Sequence, residues 1–218
     1  MNSSTGHTEL IAREGLSMVL GTTALFVLTW WFDYFWLSSF FLISTIAIAL
    51  FFRNPERQSP QDKNVLVSAA DGVVMEISEK SRAPVLVDSD LTRISVFMSV
   101  FNVHVNRWPF SGRIKTISHR RGKFLDARNP ASSKLNESNS IVLDTCAGEM
   151  EIVQIAGKVA RRIIWWVREN DPAKKGERFG LIKFGSRVDI YLPKNFTVCT
   201  EVGSKVTAGV TVLAKNNL

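Results

Sequence analysis

The chain has 218 residues, 45% of them hydrophobic, and a formal net charge of +7. That length suits one compact domain plus an accessory segment. The three histidines, His7, His104 and His119, do not fall at metal-ligand spacing, and Cys146 and Cys199 form no CxxC pair. The sequence therefore argues against a metal site and favours two reduced thiols over a lone disulfide.

Charge is unevenly spread. Residues 1–52 hold only Glu9, Arg13, Glu14 and Asp33, a net of −2, which leaves +9 for residues 53–218. A basic domain suits an anionic lipid surface or nucleic acid. The cations are not grouped with aromatics in a nucleic-acid-binding motif, so no nucleic-acid partner is expected.

Residues 1–15 read as a tail. Two uncharged runs follow, LSMVLGTTALFVLTWWF at 16–32 and YFWLSSFFLISTIAIALFF at 34–52. Each is near the lower limit of the ~17–25 residues that cross a bilayer as a helix. Asp33 lies between them, among Trp30, Trp31, Tyr34 and Trp36. A polar turn among interfacial aromatics predicts a transmembrane hairpin of two helices. Arg13 before it and Arg53 and Arg57 after it place both termini on the cytoplasmic side of the cell (inner) membrane. Interfacial docking is the main rival. A cleaved signal peptide fits poorly, because the apolar stretch is long and no small-residue cleavage site ends it.

FFRNPERQSP closes the hairpin, and residues 53–63 read as a proline-containing linker. From residue 64 onward the pattern becomes short and rich in β-branched residues. VLVSAADGVVMEI, APVLVDS, RISVFMSV, GRIKTIS, SIVLDT, EMEIVQIA, RIIWWV, LIKFG, RVDIYLP and KVTAGVTVLA read as strands separated by turn residues. Residues 64–218 are therefore expected to form an all-β, barrel-like or sandwich domain, with a short helical piece at 158–162. Residues 124–140 form a long polar connection, a length that often carries function. Residues 168–178 form a second polar loop, expected to be mobile.

Taken singly, the candidate residues are ordinary. Asp71 in ADG reads as a turn aspartate. His104 in FNVHVNRWP reads as a packed strand histidine. Gly185–Ser186 in LIKFGSRVDIYLP reads as a strand bulge. Hydrolase and P-loop signatures are missing.

Taken together, the order of blocks FFRNPER, SAADGVV, FMSVFNVHVNRWPFSG, GKFLDA, VQIAGKVARRI and GERFGLIKFGSRVDIYLP resembles the phosphatidylserine decarboxylase family in its short, archaeal-type proenzyme form. The resemblance runs from about residue 51 to the end. It implies a zymogen in which the Ser186 hydroxyl attacks the Gly185 carbonyl and an ester replaces the peptide bond. Elimination and loss of ammonia then leave a covalent pyruvoyl group. The products would be a β chain, residues 1–185, and an α chain, residues 186–218, held as a heterodimer; a homo-oligomer of such pairs stays open. The pyruvoyl group would be the electron sink for decarboxylating phosphatidylserine.

On the same resemblance His104 is the base that activates Ser186, and Asp71 orients the imidazole. Relatives of the long bacterial form carry a second histidine where this chain has Arg107, so Arg107 is a candidate to hold a carboxylate or phosphate. His119 is the fallback base or substrate contact. Trp165 and Trp166 are adjacent in a strand pattern, so one is expected in the core. The competing reading is a non-catalytic, membrane-tethered binding module. It rests on GSKV followed by AGVTVLA, which resembles the ending of lipoyl-type domains.

Overall fold

A computed structural model describes residues 9–86, 91–158, 162–183 and 185–217. The chain divides into two compact units, residues 5–56 and the remainder from Arg57. The expected helical piece at 158–162 falls largely outside the described residues.

The first unit is a hairpin of α1 (Arg13–Trp31) and α2 (Phe35–Phe51). Asp33 adopts φ 60 between them, and Tyr34 N–H donates to Thr29 O at 3.0 Å. The helices are tied by Thr45 Oγ1 donating to Thr22 Oγ1 at 2.8 Å. Thr29, Ser38 and Ser44 turn their hydroxyls back onto the carbonyl four residues earlier, which satisfies them without water. At the base, Ala12 N–H donates to Phe52 O at 2.8 Å. There Gly15 leaves the space that Phe52 fills, since a Cβ would lie 2.4 Å from its Cγ.

The expected pair of spanning helices is not supported. No described helix is long and apolar enough to cross a membrane. The helices have 19 and 17 residues. Glu14 also occupies the first turn of α1.

The second unit is β-dominated, as expected. Its strands are β1 (Val65–Val67), β2 (Gly72–Ser81), β3 (Leu91–Met98), β4 (Val105–Arg107), β5 (Gly112–Arg120), β6 (Ser138–Thr145) and β7 (Gly148–Ala156). After these come β8 (Ile163–Trp165), β9 (Pro172–Ala173), β10 (Arg178–Ile182), β11 (Ser186–Leu192), β12 (Phe196–Val198), β13 (Lys205–Val206) and β14 (Val212–Asn216). A short α3 (Ser132–Leu135) sits inside the long polar connection.

Eight strands form one antiparallel sheet in the order β13-β2-β3-β11-β7-β6-β5-β9. Two three-stranded sheets, β1-β14-β12 and β4-β10-β8, share its core. Period-2 alternation sorts the large sheet's side chains. Ile94, Val96 and Met98 of β3, Val188 and Ile190 of β11, and Met150 and Ile152 of β7 face the main core. The opposite face carries a second small cluster of Leu91, Val153, Ile155 and Tyr191.

Several segments depart from expectation. APVLVDS forms no strand over its described part, 83–86, where Val85 and Leu86 N–H groups instead cap the Glu151 carboxylate. The 168–178 loop is tied down, with β9 pairing Gly112 and Arg113. Trp165, partly buried, packs against the main core, and Trp166 is also only partly buried. Of Gly203 to Val206, only Lys205 and Val206 form β13, an edge strand paired to Val73 and Gly72. Cys146 and Cys199 are free and exposed.

Candidate active site

Ser186 opens β11, the strand that lies between β3 and β7. Its register partners are Met98 and Ala156, and its side chain shares the core-facing parity of Val188 and Ile190. Ser186 is fully buried, and its Oγ donates to Met98 Sδ at 3.4 Å. A thioether is a weak acceptor, so this hydroxyl is held without being activated.

Gly185 lies just before the strand with φ 47, in the left-handed region. A side chain there would be strained although nothing stands within 4 Å of its Cβ position. Its carbonyl oxygen lies over Gly157, where an added Cβ would come within 2.0 Å. Gly157 is therefore kept bare by the carbonyl that Ser186 would attack.

At this end the apolar core gives way to amides. Gln154, on β7, donates to Asn106 Oδ1 at 2.8 Å, and Asn139, on β6, donates to Gln154 Oε1 at 3.0 Å. Asn106 Nδ2 reaches Met98 Sδ at 3.7 Å, the sulfur that also takes the Ser186 hydroxyl. All three amides are fully buried. A polar glutamine at a core-facing position of an apolar strand was the available signal for this row, and composition alone did not reveal its partners.

His104 precedes β4 and shares the parity of Asn106. It is 2% exposed, and its Nδ1 lies 2.9 Å from Asn102 O. Its own carbonyl accepts from Ile182 N–H at 3.3 Å, where β10 ends just ahead of Gly185 and Ser186. The loop before β4 and the end of β10 thus bring His104 to the segment that carries Gly185 and Ser186.

Asp71 is engaged elsewhere than the sequence suggested. Its Oδ1 and Oδ2 accept from Arg57 Nη1 and Nη2 at 2.5 and 2.8 Å, and Oδ1 also accepts from Ala208 N–H at 2.8 Å. It makes no hydrogen bond to His104 among the described residues. Its turn is still close to the site. Gly72 is packed so tightly on β3 that a Cβ would meet Phe97 O at 1.9 Å and Met98 Cα at 3.4 Å. Gly72, Asn106 and Ser186 therefore all approach Met98. Arg57, read from the sequence only as a topology-setting charge, is the partner of this carboxylate.

Arg107 points to the other side of β4 and donates from Nη1 to Gly176 O at 2.8 Å. His119 lies on β5, with Nε2 3.1 Å from Glu137 Oε1 and its ring 5.3 Å from Trp165.

On the outer face, residue 187 begins a buried charged layer. Arg187 Nη2 donates to Asp189 Oδ2 at 2.7 Å and to Ser133 Oγ, and Nη1 reaches Ala127 O at 3.4 Å. The connection at 124–136 is thereby strapped across the sheet. Asn136 helps, donating to Ala156 O and Leu125 O at 2.8 Å each. Arg128 sits 5.5 Å over the Phe97 ring, and its hydrogen bond holds the Asp126 carboxyl down at about 2. Burial, then the nearby Asp189 charge, push Tyr191 up to about 12. Burial also raises Glu151 above the usual carboxylate range, against the pull of Val85 and Leu86 N–H groups.

Comparison with known proteins identifies the family. A sequence model of the phosphatidylserine decarboxylase family matches residues 45–214. The chain is 43% identical over 206 residues to the phosphatidylserine decarboxylase proenzyme of Syntrophus aciditrophicus (strain SB), covering 93% of this chain and 96% of that one. It is 44% identical over 208 residues to the proenzyme of the same name from Geotalea uraniireducens (strain Rf4), covering 93% and 95%. Over nearly its whole length, then, the chain belongs to the phosphatidylserine decarboxylase family.

Proposed function

We propose that this chain is a proenzyme that cuts itself between Gly185 and Ser186 and then decarboxylates phosphatidylserine to phosphatidylethanolamine. The observation that carries the reading is the scissile pair itself. Ser186 is fixed in the sheet on both sides, while Gly185 takes φ 47 and lays its carbonyl over Gly157.

His104 is the base for Ser186 Oγ. Its Nδ1 is matched to the Asn102 carbonyl, which fixes the ring so that Nε2 is the exchanging nitrogen. Transfer of the Ser186 proton frees Oγ to attack the Gly185 carbon. The peptide C–N bond breaks as the ester C–O bond forms, and the freed amine takes the proton. Elimination then gives a Gly185 carboxylate, and one water releases ammonia from residue 186. The residues present fit a pyruvoyl group there: its precursor hydroxyl is fully buried against the Met98 sulfur that Asn106 also reaches, with little bulk water to compete. When formed, the group supplies an electron sink for the carbanion left by CO₂.

Asp71 acts with Arg57 as a clamp. It joins the segment entering the domain to Ala208, which belongs to the α chain after cleavage. Arg107 braces the Gly176 turn, and His119 pairs with Glu137. The apolar hairpin docks on the inner membrane by shallow insertion, with the domain and both termini on the cytoplasmic side. Exposed Trp31 and Trp36, at 80% and 93%, suit its interfacial tip.

Ser186→Ala tests the reading. It should leave the chain intact and abolish CO₂ release from phosphatidylserine vesicles. Cleavage that persists in this variant places the site elsewhere.

A further inference from the structure

Met98 receives two hydrogen bonds at one sulfur. Ser186 Oγ donates to Sδ at 3.4 Å, and Asn106 Nδ2 donates at 3.7 Å. All three side chains are fully buried. The approach of Asn106 is set from behind. Gln154 Nε2 donates to Asn106 Oδ1 at 2.8 Å, and Asn139 Nδ2 donates to Gln154 Oε1 at 3.0 Å. With its oxygen engaged by Gln154, Asn106 presents its nitrogen to the sulfur. The β3–β11 register holds Met98 directly opposite Ser186.

A buried hydroxyl needs an acceptor, and the strength of that acceptor decides how readily the hydroxyl leaves it. A carbonyl or carboxylate oxygen would hold it firmly. A thioether is a weak acceptor, so it satisfies the hydroxyl and still lets it go. The sulfur also suits what cleavage would leave behind. Oγ passes to Gly185 as a carboxylate oxygen. The Cα proton is removed, a proton is added at Cβ, and Cβ stays on residue 186 as a methyl. Water supplies the ketone oxygen as ammonia departs. A polarizable sulfur packs well against a methyl, whereas a strong acceptor in its place would lose its partner.

We propose that Met98 is the latch of the proenzyme: its sulfur holds the Ser186 hydroxyl until His104 takes the proton, and release from sulfur limits how fast the chain cuts itself. The latch rests on the decarboxylase reading above. It adds to that reading the group that restrains the nucleophile.

Full-length chain made by cell-free synthesis tests it, with the uncut fraction followed on a denaturing gel after synthesis is stopped. Met98→Leu keeps the bulk and removes the acceptor. It should cut about threefold faster than the parent, the worth of one weak hydrogen bond. The pH midpoint of cleavage should not move, because the base is the same. Met98→Gln offers an amide oxygen, a stronger acceptor, and should cut at least about threefold more slowly. A side chain that merely fills the core would slow cleavage on either substitution, so acceleration by Met98→Leu is the decisive sign. Circular dichroism of the same variants carrying Ser186→Ala, which stay uncut, checks the fold. If Met98→Leu does not fold, Met98→Ile, which also lacks an acceptor and suits a strand, takes its place. Cleavage at or below the parent rate in the folded aliphatic variant overturns the latch, and so does parent-like cleavage in Met98→Gln. Those results, with a parent cut after Gly185, sink the latch alone. A parent that stays uncut, or is cut at another bond by mass, sinks the decarboxylase reading and the latch with it.

Discussion

At Gly185 the backbone turns left-handed and lays its carbonyl on Gly157, so two glycines shape the bond proposed for cleavage. Gly157→Ala should push that carbonyl away and slow chain cleavage at least tenfold, read as the fraction of uncut chain over time on a denaturing gel. Parent-like cleavage would show that the close approach is irrelevant. Glu151 gives a pH signature. Its folded pKa is raised, first by burial. Protonation therefore favours the fold. That stabilisation is fully present below the unfolded value of 4.5 and is lost as pH rises through the folded pKa. Glu151→Gln mimics the protonated side chain. Its stability relative to the parent should grow as pH rises across that window, by about 1.4 kcal/mol for each pH unit the window spans. Urea midpoints at several pH values measure it, and a constant difference would contradict the assignment.

β11 is the element on which both faces of the domain depend. Its core face carries Ser186, and its outer face carries the buried Arg187–Asp189 pair with the 124–136 strap. Breaking such a pair on one side leaves an uncompensated buried charge, worth about 3–5 kcal/mol. Asp189→Asn or Arg187→Met should each lose on that order in chemical denaturation. Arg187→Met with Asp189→Leu should lose less than either single change, and a double variant that loses the sum would contradict a coupled pair. Much of this element is legible in the sequence. RVDIYLP alternates cleanly, and the ordered blocks point to Gly185–Ser186. The strap is visible there only as a long polar loop. That Ser133 and Ala127 reach Arg187 depends on a fold-back no periodicity encodes. The Asp71–Arg57 clamp escapes a linear reading for a similar reason, because partners from separate blocks meet only in the folded chain. The amide row is hidden because Gln154, Asn139 and Asn106 come from three strands. The hairpin is recognisable as two helices.

Across the whole domain, cleavage at residue 185 would not release a loose tail. The α chain supplies β11, held between β3 and β7, and also β12, β13 and β14. Ala208 is tied to Asp71, and Cys199 N–H donates to Leu213 O within the same piece. The two chains should co-elute on gel filtration and separate only in denaturant. Intact-mass spectrometry of the purified protein tests the central claim most directly. The account predicts two species: a large one ending at Gly185, and a small one beginning at residue 186. The small one should be blocked to Edman degradation and lighter by one ammonia than the same peptide with a free N-terminal serine. A single full-length mass under all conditions, or a small fragment that begins with an unmodified serine, would contradict it.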